Sequence, residues 1–125
     1  MSSKRILNRI GFFRELPHGD DDGPALAGSV RDAPGVDEQR LVEYLRAGVS
    51  YIVSPGVVRD ALDQSGPVGT GSVLTDGTWA WPDDLPHYVE RYHIALPEDF
   101  VAHARAAGWS IGDLSIQELR RISLT

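Results

Sequence analysis

Histidine and carboxylate side chains are the groups in this sequence that could carry acid–base chemistry. The 125-residue chain has four histidines and eighteen acidic residues. A general acid or base must lie within hydrogen-bonding distance of the proton that it moves. His93 lies in the same segment as Glu90 and Asp84. One interpretation is therefore a small hydrolase-type enzyme that uses His93 with Glu90 or Asp84 as its acid–base pair.

The spacing of these groups does not single out a catalytic site. Asp84 and Glu90 are six residues apart, which does not place them on one face of a helix. A glycosidase-like pair of carboxylates needs a set separation, and nothing in the sequence fixes one. We therefore assign no catalytic residue, and we expect a protein that is not an enzyme.

Metal and cofactor binding are not predicted either. The four histidines form neither an H-x-x-x-H nor an H-E-x-x-H pattern. Asp20, Asp21 and Asp22 are consecutive, whereas a calcium-binding loop spaces its acids at alternate positions and adds a distal Glu. The glycine-rich stretch 66–71 is not followed by the lysine of a phosphate-binding loop. We expect no metal ion and no cofactor.

Aromatic residues are concentrated in the stretch 79–92, which holds two tryptophans and two tyrosines. If Trp79 and Trp81 point inward, each buries on the order of 200 Å² in the core. If they lie on an edge element, one tryptophan could be an exposed anchor, because Trp, Tyr and Arg are frequent hot-spot residues. Both alternatives stay open. The candidate binding residues are Trp79, Trp81, Asp83, Asp84, Glu90 and Arg91, with Asp20, Asp21 and Asp22 as a secondary acidic patch.

The composition restricts the class of partner. Eighteen acidic residues against twelve basic ones give a formal charge of −6. This charge disfavours nucleic acid, which needs a surplus of Lys and Arg, and it favours a basic partner protein. No apolar run is long enough to span a bilayer, so we expect no membrane association. The lack of cysteine excludes disulfides and thiolate metal sites, and it favours a cytoplasmic location.

An Asp-Gly pair between two extended runs predicts a β-hairpin. A two-residue turn at Asp76–Gly77 would pair Thr75 with Thr78 and Leu74 with Trp79. Side chains alternate between the two faces of a strand. The expected faces are Ser72, Leu74, Trp79 and Trp81 on one side, and Val73, Thr75, Thr78 and Ala80 on the other.

Apolar periodicity and capping signals predict the other elements. Asp37 can cap a helix that ends before Gly48, a C′ glycine, and either Asp83 or Asp84 can cap a later one. Ser115–Glu118 matches a capping box. The expected helices are 37–47, 57–62, 85–92, 97–107 and a short one from 115, and 49–53 is an expected strand.

These elements predict one α+β domain over residues 1–125, with a long Gly/Pro/Asp-rich loop at 17–36. Residues 4–16 fit either a helix or a strand. No regular alternation of strand and helix is present. We therefore expect a small, mostly antiparallel sheet of three or four strands, with four or five helices packed on one face.

The second half of the chain carries a recognisable motif. It reads LTDGTWAWPDDL at 74–85 and YVERYH at 88–93, followed by LP at 96–97, Phe100 and GW at 108–109. This stretch resembles an LTDGxWxWPxDLxxYVxxYH-type motif of small uncharacterised bacterial proteins, and the resemblance implies no activity. In size and acidity the chain is also similar in character to immunity proteins, which neutralise a toxin by binding it.

The leading hypothesis is a non-enzymatic protein-binding domain, such as an immunity-like inhibitor of a basic partner protein. Complementary charge would speed the encounter, and aromatic contacts would hold the complex. The hydrolase with His93 is one alternative. A self-associating structural subunit, in its simplest form a homodimer, is the other.

Overall fold

The computed structural model describes residues 4–125. A 3-10 turn at Ala27–Ser29 is the regular element within the long loop. The strands are β1 (Arg5–Ile6), β2 (Asn8–Arg9), β3 (Val49–Ile52), β4 (Val73–Thr75), β5 (Trp79–Pro82) and β6 (Ile122–Ser123). The helices are α1 (Glu38–Arg46), α2 (Leu85–Tyr92), α3 (Glu98–Ala106) and α4 (Ile116–Arg120).

The main sheet has four strands in the order β2-β5-β4-β3. Strands β3, β4 and β5 pair antiparallel, whereas β2 pairs parallel to β5, and β1 and β6 form a separate parallel pair. The α+β class is confirmed, but the sheet is mixed rather than mostly antiparallel. The parallel pairings arise because residues 4–16, left open between helix and strand, begin as two short strands.

Apolar residues cover both faces of the main sheet. The helix-side core joins Trp79 and Trp81 to side chains of α1, α2 and α3, among them Leu45, Tyr88 and Phe100. The opposite core is smaller and contains Leu7, Phe12, Val73, Ala80 and Ile122, with Leu119 of α4 packed against it. The expectation that all helices lie on one face is therefore wrong for α4, because Leu119 packs on the other side.

The hairpin forms with a longer loop than predicted. Thr75 pairs with Ala80 and Leu74 pairs with Trp81, so the register is shifted by two residues. Asp76 lacks the positive φ of a two-residue turn, and its Oδ1 accepts hydrogen bonds from the backbone N–H groups of Thr78 (2.9 Å) and Trp79 (2.7 Å). Because a two-residue shift preserves the alternation, Trp79, Trp81 and Leu74 still share the predicted face.

Residues 57–62 form no helix. The chain instead runs through a loop that is closed by a bridge between Val58 and Gly69. The Asp60 carboxylate accepts hydrogen bonds from the backbone N–H groups of Leu62 (2.8 Å) and Asp63 (3.2 Å). These bonds give the backbone an alternative to helical pairing, so the predicted helical turns are replaced by a side-chain-capped turn.

The predicted caps have mixed outcomes. Asp37 precedes α1 with a left-handed φ of 63°, and its side chain caps nothing; Asp84 precedes α2 and likewise makes no cap. Gly48 has no positive φ, but a Cβ there would lie 2.7 Å from Trp81 Cζ2. Close approach therefore explains this glycine. The capping box at Ser115 is confirmed.

Within residues 4–125, no helix combines the length and apolar character needed to cross a membrane.

Candidate functional site

Each of the four histidines lies beside a carboxylate from a distant part of the chain. The N–O distances are 3.0 Å for His18–Asp84, 2.7 Å for His87–Asp60, 2.9 Å for His93–Glu38 and 3.1 Å for His103–Asp76. Across residues 4–125, no group of three or more His, Asp and Glu side chains could hold a metal ion. The acid–base groups are therefore dispersed as pairs and not gathered in one centre.

The structure does not form the acid–base pair predicted for His93. The His93 Nδ1 atom lies 2.9 Å from Glu38 Oε2, whereas Glu90 forms an ion pair with Arg46 at 3.1 Å. Asp84 is occupied by the contact with His18. His93 ends α2 in a left-handed conformation with φ of 55°. The chain leaves the helical path at this residue, so the helical spacing to Glu90 does not hold for its side chain.

The His18–Asp84 pair links the long loop to the start of α2. The Nε2–Oδ2 distance is 3.0 Å, but the contact is not aligned as a hydrogen bond, and both side chains lack any other partner among residues 4–125. The Asp84 carboxylate raises the pKa of His18 above 6.5, against the effect of burial, and the charge of Asp83 adds to this. The raised pKa favours the imidazolium form of His18 beside the Asp84 carboxylate.

A second polar cluster ties the 58–69 loop to α2. Asp60 is fully buried, with His87 Nε2 at 2.7 Å and Tyr92 Oη at 2.8 Å from its Oδ2 atom. Burial opposes ionisation of Asp60, but hydrogen bonds from His87, Tyr92 and the backbone lower its pKa. Burial and the nearby Asp60 raise the pKa of Tyr92 to about 12. The hydrogen-bonding capacity of the Asp60 carboxylate is therefore used within the protein, which indicates that this cluster has a structural role in holding the 58–69 loop against α2.

The proposed exposed tryptophan anchor is contradicted by burial. Trp79 and Trp81 both belong to the helix-side core, and Trp81 Nε1 donates a hydrogen bond of 3.0 Å to the Leu45 carbonyl. The anchor hypothesis required the hairpin to be an edge element, but β5 lies between β2 and β4. The alternative in which both tryptophans point inward is the one that the structure shows.

The charged candidates do not converge on one surface. Asp84 is buried, and Asp83 accepts hydrogen bonds from the backbone of residues 70–71. Glu90 and Arg91 are exposed on the polar side of α2, where their ion pairs measure 3.1 and 3.5 Å. Glu90 and Arg91 are the most exposed of the four, and neither lines either of the two clefts described below.

One cleft lies between the end of the long loop and α3. Its volume is about 610 Å³, and Leu41, Leu96 and Val101 provide apolar lining. Charged and aromatic side chains also line it: Arg31, Glu38, Glu98, Arg105 and Trp109. Arg105 lies over the Trp109 ring, with 5.8 Å between the guanidinium carbon and the ring centroid. The cleft therefore offers an apolar surface with both signs of charge.

A second cleft of about 310 Å³ adjoins the first, and both are lined by Ala95 and Leu96. Its lining includes Phe12, Phe13 and Asp20. Asp20 is paired with Arg9 at 2.8 Å, and the next two residues, Asp21 and Asp22, are exposed. We call the two clefts together the groove. Its second cleft ends at the acidic patch singled out in the sequence.

Three residues around the first cleft hold left-handed backbone conformations. Asp37, His93 and Trp109 have φ values of 63°, 55° and 59°. Asp37 contacts Arg105 at 3.7 Å, and the His93 carbonyl accepts a hydrogen bond of 2.6 Å from Arg31. Such conformations are costly outside glycine, and they are found disproportionately at functional sites. Trp109 lines the first cleft, and Asp37 and His93 each contact a residue that lines it, so we take the first cleft as the candidate site.

The sequence prediction missed the residues that line this cleft. The sequence assigns Trp109 only to the motif in the second half of the chain, and it places Val36 at the end of the predicted loop 17–36. Val36 is 89% exposed, which is unusual for a valine among polar residues. An apolar residue in a Gly/Pro/Asp-rich segment was the available signal. Arg31 and Arg105 carried no signal, because only the fold brings them to the same cleft.

Comparison of the chain with protein-family models, curated proteins and solved structures gives no match.

Proposed function

We propose that this protein is a non-enzymatic protein-binding domain that holds a basic, extended segment of a partner protein in the groove. The observation that carries the proposal is the junction of the two clefts at Ala95 and Leu96. The two clefts share these lining residues, with Trp109 in the first cleft and Asp20 in the second. An immunity-like inhibitor of a basic protein is one form that such a domain takes.

The contacts in the first cleft fit the chemistry of an interface. Trp and Arg are enriched among hot-spot residues, and Trp109 lies here beside Arg105. Leu41, Leu96 and Val101 supply an apolar surface that a partner side chain would cover. Trp109 and Arg105 therefore replace Trp81 and Arg91 as the proposed hot-spot residues.

The net charge of the chain and the acidic residues beside the second cleft favour a basic occupant. The chain carries a formal charge of −6, and the second cleft reaches Asp20 and its exposed neighbours Asp21 and Asp22. Attraction between opposite charges raises the rate of encounter and weakens as salt is added. A partner with Lys or Arg at the end of its bound segment would satisfy this acidic patch.

The position of the histidines supports binding over catalysis. Of the residues described, no histidine lines either cleft. His93 contacts two residues that line the cleft, Glu38 through its ring and Arg31 through its carbonyl. A hydrolase would need its acid–base group within reach of the bound substrate. The groove thus lacks the histidine on which the hydrolase alternative depends.

The test is a pull-down from native lysate with the tagged domain, followed by measurement of affinity for the captured protein. Val36→Lys places a bulky positive charge at the rim of the first cleft, and we expect it to weaken binding at least about tenfold. The double variant Asp21→Lys with Asp22→Lys should slow association. Val53→Lys is the matched control, because Val53 is an exposed valine outside the groove, and it should bind as the parent does.

Three outcomes of the pull-down and affinity measurements are distinguishable. A stoichiometric basic partner whose affinity falls with Val36→Lys and with added salt supports the proposal. A partner that binds Val36→Lys and the parent equally would place the interface elsewhere. The absence of any stoichiometric partner, with the pull-down repeated at low salt, would rule out a stable complex of this kind.

A further inference from the structure

Strand β3 forms one edge of the main sheet, since its only neighbour in the order β2-β5-β4-β3 is β4. The chain stays beside the same neighbour after β3 ends. Ser54 N donates a hydrogen bond of 2.9 Å to Ser72 Oγ, and Val58 N donates one of 2.9 Å to the Gly69 carbonyl. Residues 49–58 therefore form one extended edge, which we call the β3 edge.

Three apolar side chains are exposed on the β3 edge: Ile52 at 43%, Val53 at 77% and Val57 at 71%. Natural edge strands are commonly protected by charged side chains, by proline or by bulges. Residues 47–58 contain no charged residue, although 24% of the whole chain is charged. Pro55 lacks a backbone N–H, so further strand pairing is confined to residues 49–53. The register of β3 on β4 shifts between Ser50 and Ile52, but this part of the edge has no charged side chain to repel another strand.

We propose that two copies of this chain pair antiparallel through the β3 edge, in addition to the partner binding assigned to the groove. Antiparallel pairing of identical strands about a two-fold axis lets one patch contact itself, so Ile52 and Val53 would be covered by the same residues of the second copy. The two main sheets would join into one sheet of eight strands.

The charge of the chain favours a second copy of the chain as the partner at the β3 edge. Each copy carries −6, so two copies repel each other across any acidic surface. The uncharged stretch 47–58 lets two such molecules approach without placing like charges in contact. A basic protein would gain no electrostatic attraction from this edge, whereas a second copy gains both strand pairing and burial of its own exposed valines.

The contact is short, so the dimer is weak. Interfaces below about 1,200 Å² in total are typical of transient complexes, and we expect dissociation in the micromolar range or above. Added salt screens the repulsion between the two acidic copies. Dimerisation should therefore strengthen with salt, whereas binding of a basic partner in the groove should weaken.

Analytical ultracentrifugation of the purified chain from about 1 µM to about 1 mM tests the proposal. The parent should shift from monomer to dimer, and Val53→Lys should weaken dimerisation at least about tenfold because it places two positive charges beside the two-fold axis. Val36→Lys, which changes an equally exposed valine in the groove, should dimerise as the parent does. Circular dichroism confirms that both variants fold.

A second readout locates the contact. Hydrogen exchange of the backbone amides in residues 49–53 should slow as the protein concentration rises. A parent that stays monomeric up to about 1 mM overturns the proposal. So does a dimer that survives Val53→Lys, or one whose protection appears at the groove and not at residues 49–53. Each of these results leaves the groove proposal intact, because that proposal is read from partner affinity.

Discussion

Replacing Asp84 with asparagine should destabilise the protein in a pH-dependent way. The substitution keeps the size of the side chain and removes the negative charge that lies 3.0 Å from His18 Nε2. Both groups are largely buried, and neither has another partner among residues 4–125. No other hydrogen bond replaces the contact when it is lost, although the charge of Asp83 also acts on His18.

The size of the expected loss in the free energy of unfolding depends on the burial of the pair and on whether His18 stays protonated in the variant. Interactions with a charged group contribute about 1.5–3 kcal/mol, and removal of one partner of a buried pair costs about 3–5 kcal/mol when the other stays charged. In Asp84→Asn the imidazole can release its proton, so the cost lies at the lower end. We expect a loss of about 2 kcal/mol at about pH 5.5.

The pH dependence has a definite sign. The pKa of His18 is raised in the folded protein, mainly by Asp84. A raised histidine pKa contributes stability that is fully present below 6.5, its ordinary value, and that is lost as the pH rises through the folded value. The difference between the parent and Asp84→Asn should therefore shrink from about pH 5.5 to about pH 9.

Urea unfolding at both pH values measures the effect. Asp113→Asn, an exposed position, is the matched control because it removes the same charge and should change stability by less than about 0.5 kcal/mol at either pH. A loss in Asp84→Asn that is equal at the two pH values, or that grows with pH, would contradict the assignment of an imidazolium–carboxylate pair.

Two further predictions concern the scaffold. Gly48→Ala should lower the free energy of unfolding by about 1–3 kcal/mol, because its Cβ would lie 2.7 Å from Trp81 Cζ2. Gly112→Ala, where nothing lies within 4 Å of the added Cβ, should be tolerated. Equal melting temperatures of the two variants would refute the packing argument. Ser115→Ala removes the acceptor of the 3.1 Å hydrogen bond from Glu118 N and should lower stability in thermal unfolding by about 1 kcal/mol. An unchanged melting temperature would mean that α4 is frayed in the native state.

The local elements show where sequence reasoning succeeds. The amphipathic stripe of α2, the capping box of α4 and the strand at 49–53 follow from residues within one or two turns of each other. The two faces of the hairpin were also correct, because they depend only on alternation. Its register was wrong, because Asp76 forms side-chain hydrogen bonds that lengthen the loop.

The candidate site shows where such reasoning stops. Asp84 and Glu90 share a segment with His93, yet the partner of His93 is Glu38, 55 residues away in sequence. The sequence leaves a core position and an exposed edge position both open for Trp79 and Trp81. The position of β5 in the middle of the sheet decided between them, and that position depends on the pairing with residues 8–9.

The sequence by itself determined the α+β class, the exclusion of disulfides, the acidic charge and the apolar face of each main helix, since these depend on composition and short-range periodicity. Only the tertiary structure decided the mixed sheet, the four histidine–carboxylate pairs, the groove and the exposed β3 edge. Each of these features joins residues that are distant in the chain. Their proximity comes from packing of whole elements against a common core, which no local pattern of residues specifies.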